Sequence, residues 1–290
     1  NYKGMRQNQF NEALLQLAAK FGVTDELNHS VNKPDIRKRA ARQDEPDGTR
    51  SFELNDAFTE DELRILGPRV TQGDALHWHS VKWITTVKNR EVLVKSSNSH
   101  YPIFMRECLV KPANGEGEEE KFYKVYEPLN CDKGFRFSYT PAGKKPQRYI
   151  NGLSELKEAY RQYNEEEERA WNSCHDDCKP YRTKKLPEAF ICSGERDSLC
   201  CRSMGFHPLW FNSETYRLSA EEYREIMTYV EVLCNIPDID ETGIRKGREL
   251  ALTYIDIRTI WLPKWLQTYH DNRGKSRKDL RDWMEIRSRT

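Results

Sequence analysis

The segment Asp238-Ile-Asp240-Glu-Thr-Gly243 sets two carboxylates two residues apart, directly after the apolar run EVLCNIP. In an extended stretch residues i and i+2 face the same way, so Asp238 and Asp240 aim at one point. Carboxylates so placed repel each other unless a cation stands between them. A hard divalent ion held through oxygen, Mg²⁺ or Mn²⁺, answers that repulsion. Gly243 reads as the residue that lets the chain turn tightly into a following helix. Two more acidic features follow apolar runs: Ser-Gly-Glu195-Arg-Asp197 after AFIC, and Lys278-Asp279-Leu-Arg-Asp282 after RTIWLP and a polar loop. A lone DxDxxG occurs in many loops and helix caps. Three acidic features in order, each at the end of a successive predicted strand, are far more specific.

Two basic stretches could hold phosphates. From Cys131 to Ile150 the chain carries Lys133, Arg136, Lys144, Lys145 and Arg148 against Asp132, with Phe135, Phe137, Tyr139 and Tyr149 interleaved. That mixture suits phosphate contacts combined with base stacking; the alternative is a solvated hairpin with its rings packed inward. Arg273, Lys275, Arg277 and Lys278 form a second basic loop beside Asp279. It either grips triphosphate oxygens or offsets the acids nearby. Ser213, after a predicted strand, is a candidate nucleotide contact or part of a turn approaching a helix. Cys174 and Cys178 with His175 form a single ligand-like cluster. Zinc ribbons need two such pairs, so Zn²⁺ is not expected within this chain. The eight cysteines read as mostly buried thiols of a reducing compartment.

The elements that must position these residues follow from pattern. The chain has 290 residues, with 47 Lys+Arg against 46 Asp+Glu, enough for about two domains. The balance excludes a uniformly basic protein, so nucleic-acid contacts must come from local patches. No apolar run approaches the roughly 20 residues of a membrane span, and no secretory signal opens the chain. It begins with Asn1 rather than Met, as a fragment or a processed product would.

Phe10–Val23 has the stripe of an amphipathic helix, and 33–50 reads as a linker rich in Pro, Gly and charge. A short helix is predicted over Phe58–Leu66, with Thr59 capping and Glu62 three residues on. Alternating runs from Trp78 to Ile150 predict a twisted, mostly antiparallel sheet, and 153–171 a helix. From Pro187 the rhythm becomes strand, helix, strand, helix, which means parallel βαβ units. Strands are predicted at 189–194, 207–212, within EVLCNIPDID, and at 258–263. Ligands of such sheets sit at the carboxyl ends of the strands.

Residues 187–290 resemble the toprim domain shared by bacterial and phage primases, topoisomerases and some nucleases. That pattern is a Glu after the first strand, a DxD-type pair after the third, and further acids after the fourth. Glu195, Asp238 and Asp240 match it, as does Gly243; Lys278-Asp279 resembles a primase segment, and Asp282 is interrupted from it by Leu280 and Arg281. Upstream, FNEALLQLAAKFGV, YPIFMRE, KFYKVYEP and RYINGL resemble the order of a bacterial or phage-type primase core, without its zinc ribbon.

The resemblance implies an α+β amino-terminal subdomain followed by an α/β toprim subdomain with a four-stranded, mostly parallel sheet. The expected boundaries are 1–57 for a helix and linker, 58–186 for the α+β part and 187–290 for the catalytic part. It implies DNA primase activity, RNA primer synthesis on single-stranded DNA from ribonucleoside triphosphates. Glu195, Asp238 and Asp240 would be catalytic, with Asp279 and Asp282 joining them around Mg²⁺ or Mn²⁺. A replicative helicase, in the same or another chain, is an implied partner, and the cytoplasm of a bacterial cell, with a phage or mobile-element source, the implied setting. A metal-dependent toprim nuclease and a non-catalytic nucleic-acid adaptor are the alternatives.

Overall fold

The computed structural model describes residues 34–110, 120–130, 136–141, 148–174, 180–212, 216–271 and 274–288. The expected helix at 10–23 lies outside these residues. The chain falls into two compact units. One takes in Asn1–Asn55, Ser80–Met105 and Lys124–Thr140, as far as these are described; the other takes in Asp56–His79, Arg106–Tyr123 and Pro141–Thr290. None of the described helices is long and apolar enough to cross a membrane.

A seven-stranded sheet has the order β1 (Asp35–Ala40), β4 (Glu91–Ser96), β3 (Trp78–Lys88), β5 (Phe104–Val110), β6 (Glu120–Tyr126), β7 (Phe137–Thr140), with β2 (Arg50–Leu54) paired to β3 off that path. The pairs β1–β4, β3–β4 and β2–β3 are antiparallel. Asn89 and Arg90 join β3 to β4 with φ of 52° and 60°, the left-handed pair that a two-residue hairpin turn requires. The Asp47 carboxylate accepts from both of their N–H groups at 3.1 Å. β1 and β2 overturn the expectation of a linker over 33–50. All six residues of β1, DIRKRA, are exposed. A charged edge strand buries no face and therefore leaves no alternating apolar signal.

The second unit contains α1 (Glu60–Leu66), with the expected capping box: Thr59 Oγ1 accepts from the Glu62 N–H, and Glu62 accepts from the Thr59 N–H. Its sheet has the order β12 (Arg258–Thr259), β11 (Val230–Ile236), β9 (Leu186–Cys192), β10 (Pro208–Phe211), β8 (Ile150–Asn151). The first four run parallel, and β8 adds an antiparallel fifth strand beside β10. Among the described residues this sheet therefore has five strands rather than four. The strand expected over 258–263 shrinks to two residues, although the Ile260 N–H still donates to the Asn235 carbonyl at 2.8 Å. Pro263 then opens a 3₁₀ turn, Lys264–Thr268; proline has no N–H to continue a ladder.

Both faces of this sheet are covered, as parallel sheets require. Ala189, Ile191 and Leu233 point to one side. There they pack with α2 (Leu153–Cys174), α4 (Ala220–Tyr229) and α5 (Glu241–Thr253) through Leu156, Ile226 and Leu250. Phe190, Cys192 and Cys234 point to the other, against α3 (Glu195–Ser203) and α6 (Leu280–Arg287) through Cys200, Cys201, Leu280 and Met284. This explains the near-continuous apolar runs of the sequence. Truncating a fully buried residue such as Leu233 to Ala costs about 2–5 kcal/mol. From β9 the chain goes first to β10 on one side and then to β11 on the other. The carboxyl ends of β9 and β11 thus flank the point where strand order reverses, the usual site of a ligand crevice.

Candidate active site

Each acidic feature of the sequence opens a helix at that crevice. Glu195 and Asp197 lie in the first turn of α3, Asp240 caps α5, and Asp279 caps α6. Helix N-termini favour negative charge, so the local fold stabilises what mutual repulsion opposes. Asp240 Oδ1 accepts from the Gly243 N–H at 2.8 Å, and Asp279 Oδ1 accepts from the Asp282 N–H at 2.7 Å.

Hydrogen bonds clamp the three loops together. Ser193 Oγ, after β9, accepts from the Asp238 N–H at 3.1 Å. The Ile239 N–H donates to the Lys278 carbonyl at 3.0 Å. The Arg281 N–H donates to Asp197 Oδ1 at 3.0 Å, joining α6 to α3. Gly243 serves a closer purpose than a tight turn: a Cβ there would lie 2.3 Å from the Asp238 carbonyl oxygen. Only glycine lets the first turn of α5 approach the strand end this nearly.

Lys278 stands between the paired carboxylates. Its Nζ lies 2.8 Å from Asp238 Oδ2 and also bonds Asp240. Partial burial alone would lower the Lys278 pKa, but the two carboxylates outweigh it and raise it above the ordinary lysine value. Burial likewise pushes the Asp240 carboxyl up, and Lys278 and the Gly243 N–H reverse this to leave it below the usual range. Two other acids move the opposite way. Burial, then the charges of Asp279 and Asp238, push Asp197 well above the carboxylate range. Burial, then Asp282, raise Asp279 to about 6.

The donor set fits a hard divalent ion. Asp238, Asp240, Asp279 and Asp197 offer oxygen alone. Asp238 Oδ1 is buried without a hydrogen-bond partner among the described residues. Like-charge coupling links Asp197 to Asp238 and Asp279. Glu195 is 8 % exposed. Among the described residues no three acidic, His or Cys side chains already converge as a metal cage; the Lys278 ammonium spans the gap of the pair instead. Cys174 is an exposed free thiol, and Cys178 lies outside the described residues.

A cavity of about 660 Å³ opens beside these acids, lined among others by Asp238, Asp240, Lys278, Lys246, Arg217 and Tyr216. That volume lies within the ordinary range for a small-molecule site.

The remaining expected residues divide. Asp282 turns to Arg277 (3.2 Å) and to the Lys278 N–H (2.9 Å) rather than to the acid pair. Arg277 is 8 % exposed and also bonds Glu285 at 2.8 Å. Within the described part of the 273–278 loop, Arg277 and Lys278 are paired with acids, and Lys278 also lines the cavity. Lys275 is exposed. Arg136 Nε donates to the Asn130 carbonyl at 3.2 Å. Arg148 bonds the Glu222 carboxylate (Nε to Oε1, 2.9 Å) and lies over the Tyr216 ring. Two rings of that basic stretch pack on neighbours: Phe137 stacks on Tyr126 at 4.7 Å, and Tyr149 meets Phe122 edge-on at 5.4 Å. Lys133, Lys144, Lys145, Arg273 and Ser213 lie outside the described residues. Asp197 is the residue the sequence reading left out of the site, although it sits two places after Glu195 in the same motif.

No family model and no curated protein matches the chain. Among solved structures it is similar to a DnaG catalytic core, at 14% identity over 74% of this chain and 54% of that one, with a TM-score of 0.39. It is similar to the E. coli primase catalytic core, at 13% over 73% of this chain and 54% of that one, TM-score 0.38. A third is the primase fragment of the bacteriophage T7 primase-helicase protein, at 14% over 65% and 63%, TM-score 0.34. The chain spans about half to two-thirds of the length of these solved chains.

Proposed function

We propose that the chain is the core of a DNA primase of the toprim type, joining ribonucleotides on a single-stranded DNA template, with residues 187–290 as its catalytic part. The observation that carries this reading is the placing of acids on three loops, after β9, after β11 and entering α6, at the reversal point of a parallel sheet. Asp238, Asp240, Asp279 and Glu195 would hold Mg²⁺ or Mn²⁺. When bound, such an ion supplies Lewis acidity for attack of a primer 3′-hydroxyl on an α-phosphate and for departure of pyrophosphate. The chain's own part is positioning. The helix N-termini and the Asp238 backbone clamp fix the loop ends that carry the carboxylates, and Lys278 has to leave the Asp238–Asp240 pair for an ion to enter. The adjoining cavity takes the nucleoside triphosphate, and Lys246, Lys278 and Arg217 on its wall offer cations to the phosphates.

One observation favours a second reading. Lys278 already offsets one of the pair's two charges and bridges both acids, so the loops are compatible with a nucleic-acid adaptor that performs no reaction. Incubating the chain with single-stranded DNA, labelled ribonucleotides and Mn²⁺ separates the readings. A primase lengthens RNA in a nucleotide-dependent way. A nuclease shortens the DNA without nucleotides. An adaptor does neither. Absence of nucleotide-dependent product across Mg²⁺ and Mn²⁺ overturns the proposal.

A further inference from the structure

Downstream of β12 the chain turns three rings outward. Trp261, Trp265 and Tyr269 are 44%, 40% and 49% exposed, while Leu262 and Leu266 beside them are 8% and 0% exposed. The leucines anchor this segment in the core beneath α6, while the three aromatic rings stay partly in solvent. Trp265 and Tyr269 meet edge-on with centroids 5.9 Å apart. The Arg287 guanidinium lies 5.8 Å from the Trp265 ring centre. Trp261 is seated by a gap in α5: a Cβ on Gly247 would come within 2.9 Å of the indole.

Charge identifies the occupant. Between 256 and 288 the exposed charged residues are Arg258, Lys264, Lys275 and Arg287 against Asp256 alone among the described ones. The acids Asp282 and Glu285 are half-buried against Arg277 and Arg281. A neutral apolar partner would leave this excess of exposed cations unanswered. A polyanion carrying flat, unpaired bases satisfies both the rings and the cations. The strip also adjoins the acids: Gln267 Nε2 donates to the Ile239 carbonyl at 2.9 Å, and the Arg277 N–H donates to the Tyr269 carbonyl at 2.9 Å.

We infer that Trp261, Trp265 and Tyr269 form a stacking platform for single-stranded nucleic acid, which thereby passes beside the acid cluster. The inference stands whichever reaction the acids perform. It differs from the 131–150 stretch, whose Phe137 and Tyr149 rings pack on Tyr126 and Phe122.

The test is binding of a labelled oligothymidylate of about twelve nucleotides to the full chain, followed by anisotropy across a salt series. The double variant Trp265→Ala, Tyr269→Ala should weaken binding by about five- to 150-fold per base lost. Its log–log salt slope should be unchanged, because no phosphate contact is removed. Lys264→Glu should instead flatten the slope by about 0.7 or more. As a check free of substitution, 5-iodouracil in the oligonucleotide should crosslink the wild-type chain at peptide 261–269. Wild-type affinity in a double variant that melts like the parent overturns the platform, as does crosslinking confined to other peptides. Loss of self-association in the double variant with oligonucleotide binding intact would assign the rings to a second copy instead. Failed primer synthesis with normal oligothymidylate binding counts against the primase reading alone.

Discussion

The loop after β11 and the loop entering α6 are built alike and charged differently. Each ends in an aspartate that caps a helix, Asp240 for α5 and Asp279 for α6. Asp240 faces the Lys278 ammonium and is held below the ordinary carboxylate range. Asp279 is half-buried among Asp282, Asp197 and Asp238, and is held above it, at about 6. The same local role therefore carries opposite electrostatic consequences, decided by which neighbour the third loop brings. One carboxylate is satisfied before any ligand arrives; the other is strained by its like-charged neighbours and has most to gain from a cation.

The largest difference should appear in activity. Asp240→Asn keeps the cap, since asparagine caps as well as aspartate, but removes a charge from the pair. Under the proposed function, nucleotide-dependent synthesis should fall by about a hundredfold or more. Stability should fall by only about 1 kcal/mol, the scale of a partly exposed ion pair. Synthesis near the wild-type rate, or a loss that merely follows unfolding in a parallel melt, removes Asp240 from the site.

Asp279→Asn should change stability in the other direction. A carboxyl with a folded pKa near 6 binds its proton more tightly than the unfolded chain does. Stability therefore drains away as pH rises from about 4 through 6, and the cost is fully present above that window. Allowing for residual solvent, the neutral asparagine should gain on the order of 1 kcal/mol at pH 7–8. The gain should vanish below about pH 4, where aspartate is protonated in both states. Chemical denaturation at several pH values checks this; an Asp279→Asn variant that is less stable at pH 8 would show that Asp279 is paired rather than crowded.

Lys278→Met tests the link between the loops. Without metal, Asp238 and Asp240 then repel unscreened, and the chain should lose about 1 kcal/mol. Mg²⁺ should recover more of that loss in the variant than it adds to the wild type, because a ligand that binds only the folded state raises its stability. Melts with and without Mg²⁺ decide it. Equal shifts in both proteins would mean that lysine and metal do not compete for the same place.

Much of this arrangement is legible in the residues, unevenly. The parallel strands β9 and β11 announce themselves because burial on both faces makes their runs nearly all apolar, and the acids directly after them follow from topology. The charged edge strand β1 hides, because an exposed strand has no hydrophobic period. Pairings across loops hide for another reason: nothing in Lys278-Asp279 states that the lysine turns back to Asp238 while the aspartate caps α6. The aromatic residues show the limit most clearly. Phe137 and Tyr149 sit among lysines and arginines much as Trp265 and Tyr269 sit near Lys264 and Arg287. Only packing distinguishes rings on Tyr126 and Phe122 from rings left in solvent.

Asp282 should give the smallest effect, and it sharpens the contrast at the α6 end. Its position three residues after Asp279 invites a ligand role, yet its two oxygens are already committed. Oδ1 meets Arg277 at 3.2 Å, and Oδ2 accepts from the Lys278 N–H at 2.9 Å. Asp282→Asn can keep the second contact through its carbonyl oxygen while losing the charge facing Arg277. Glu285 still pairs with that guanidinium at 2.8 Å, so the arginine is not stranded. The expected outcome is a loss of less than about 1 kcal/mol and synthesis within about threefold of wild type. Removing the charge should also relieve Asp279, whose second-largest upward push comes from Asp282. In Asp282→Asn the pH window over which stability drains should therefore shift toward lower pH. A loss of synthesis as deep as that of Asp240→Asn would place Asp282 among the metal-holding acids, and would mean that Arg277 releases it when substrate binds.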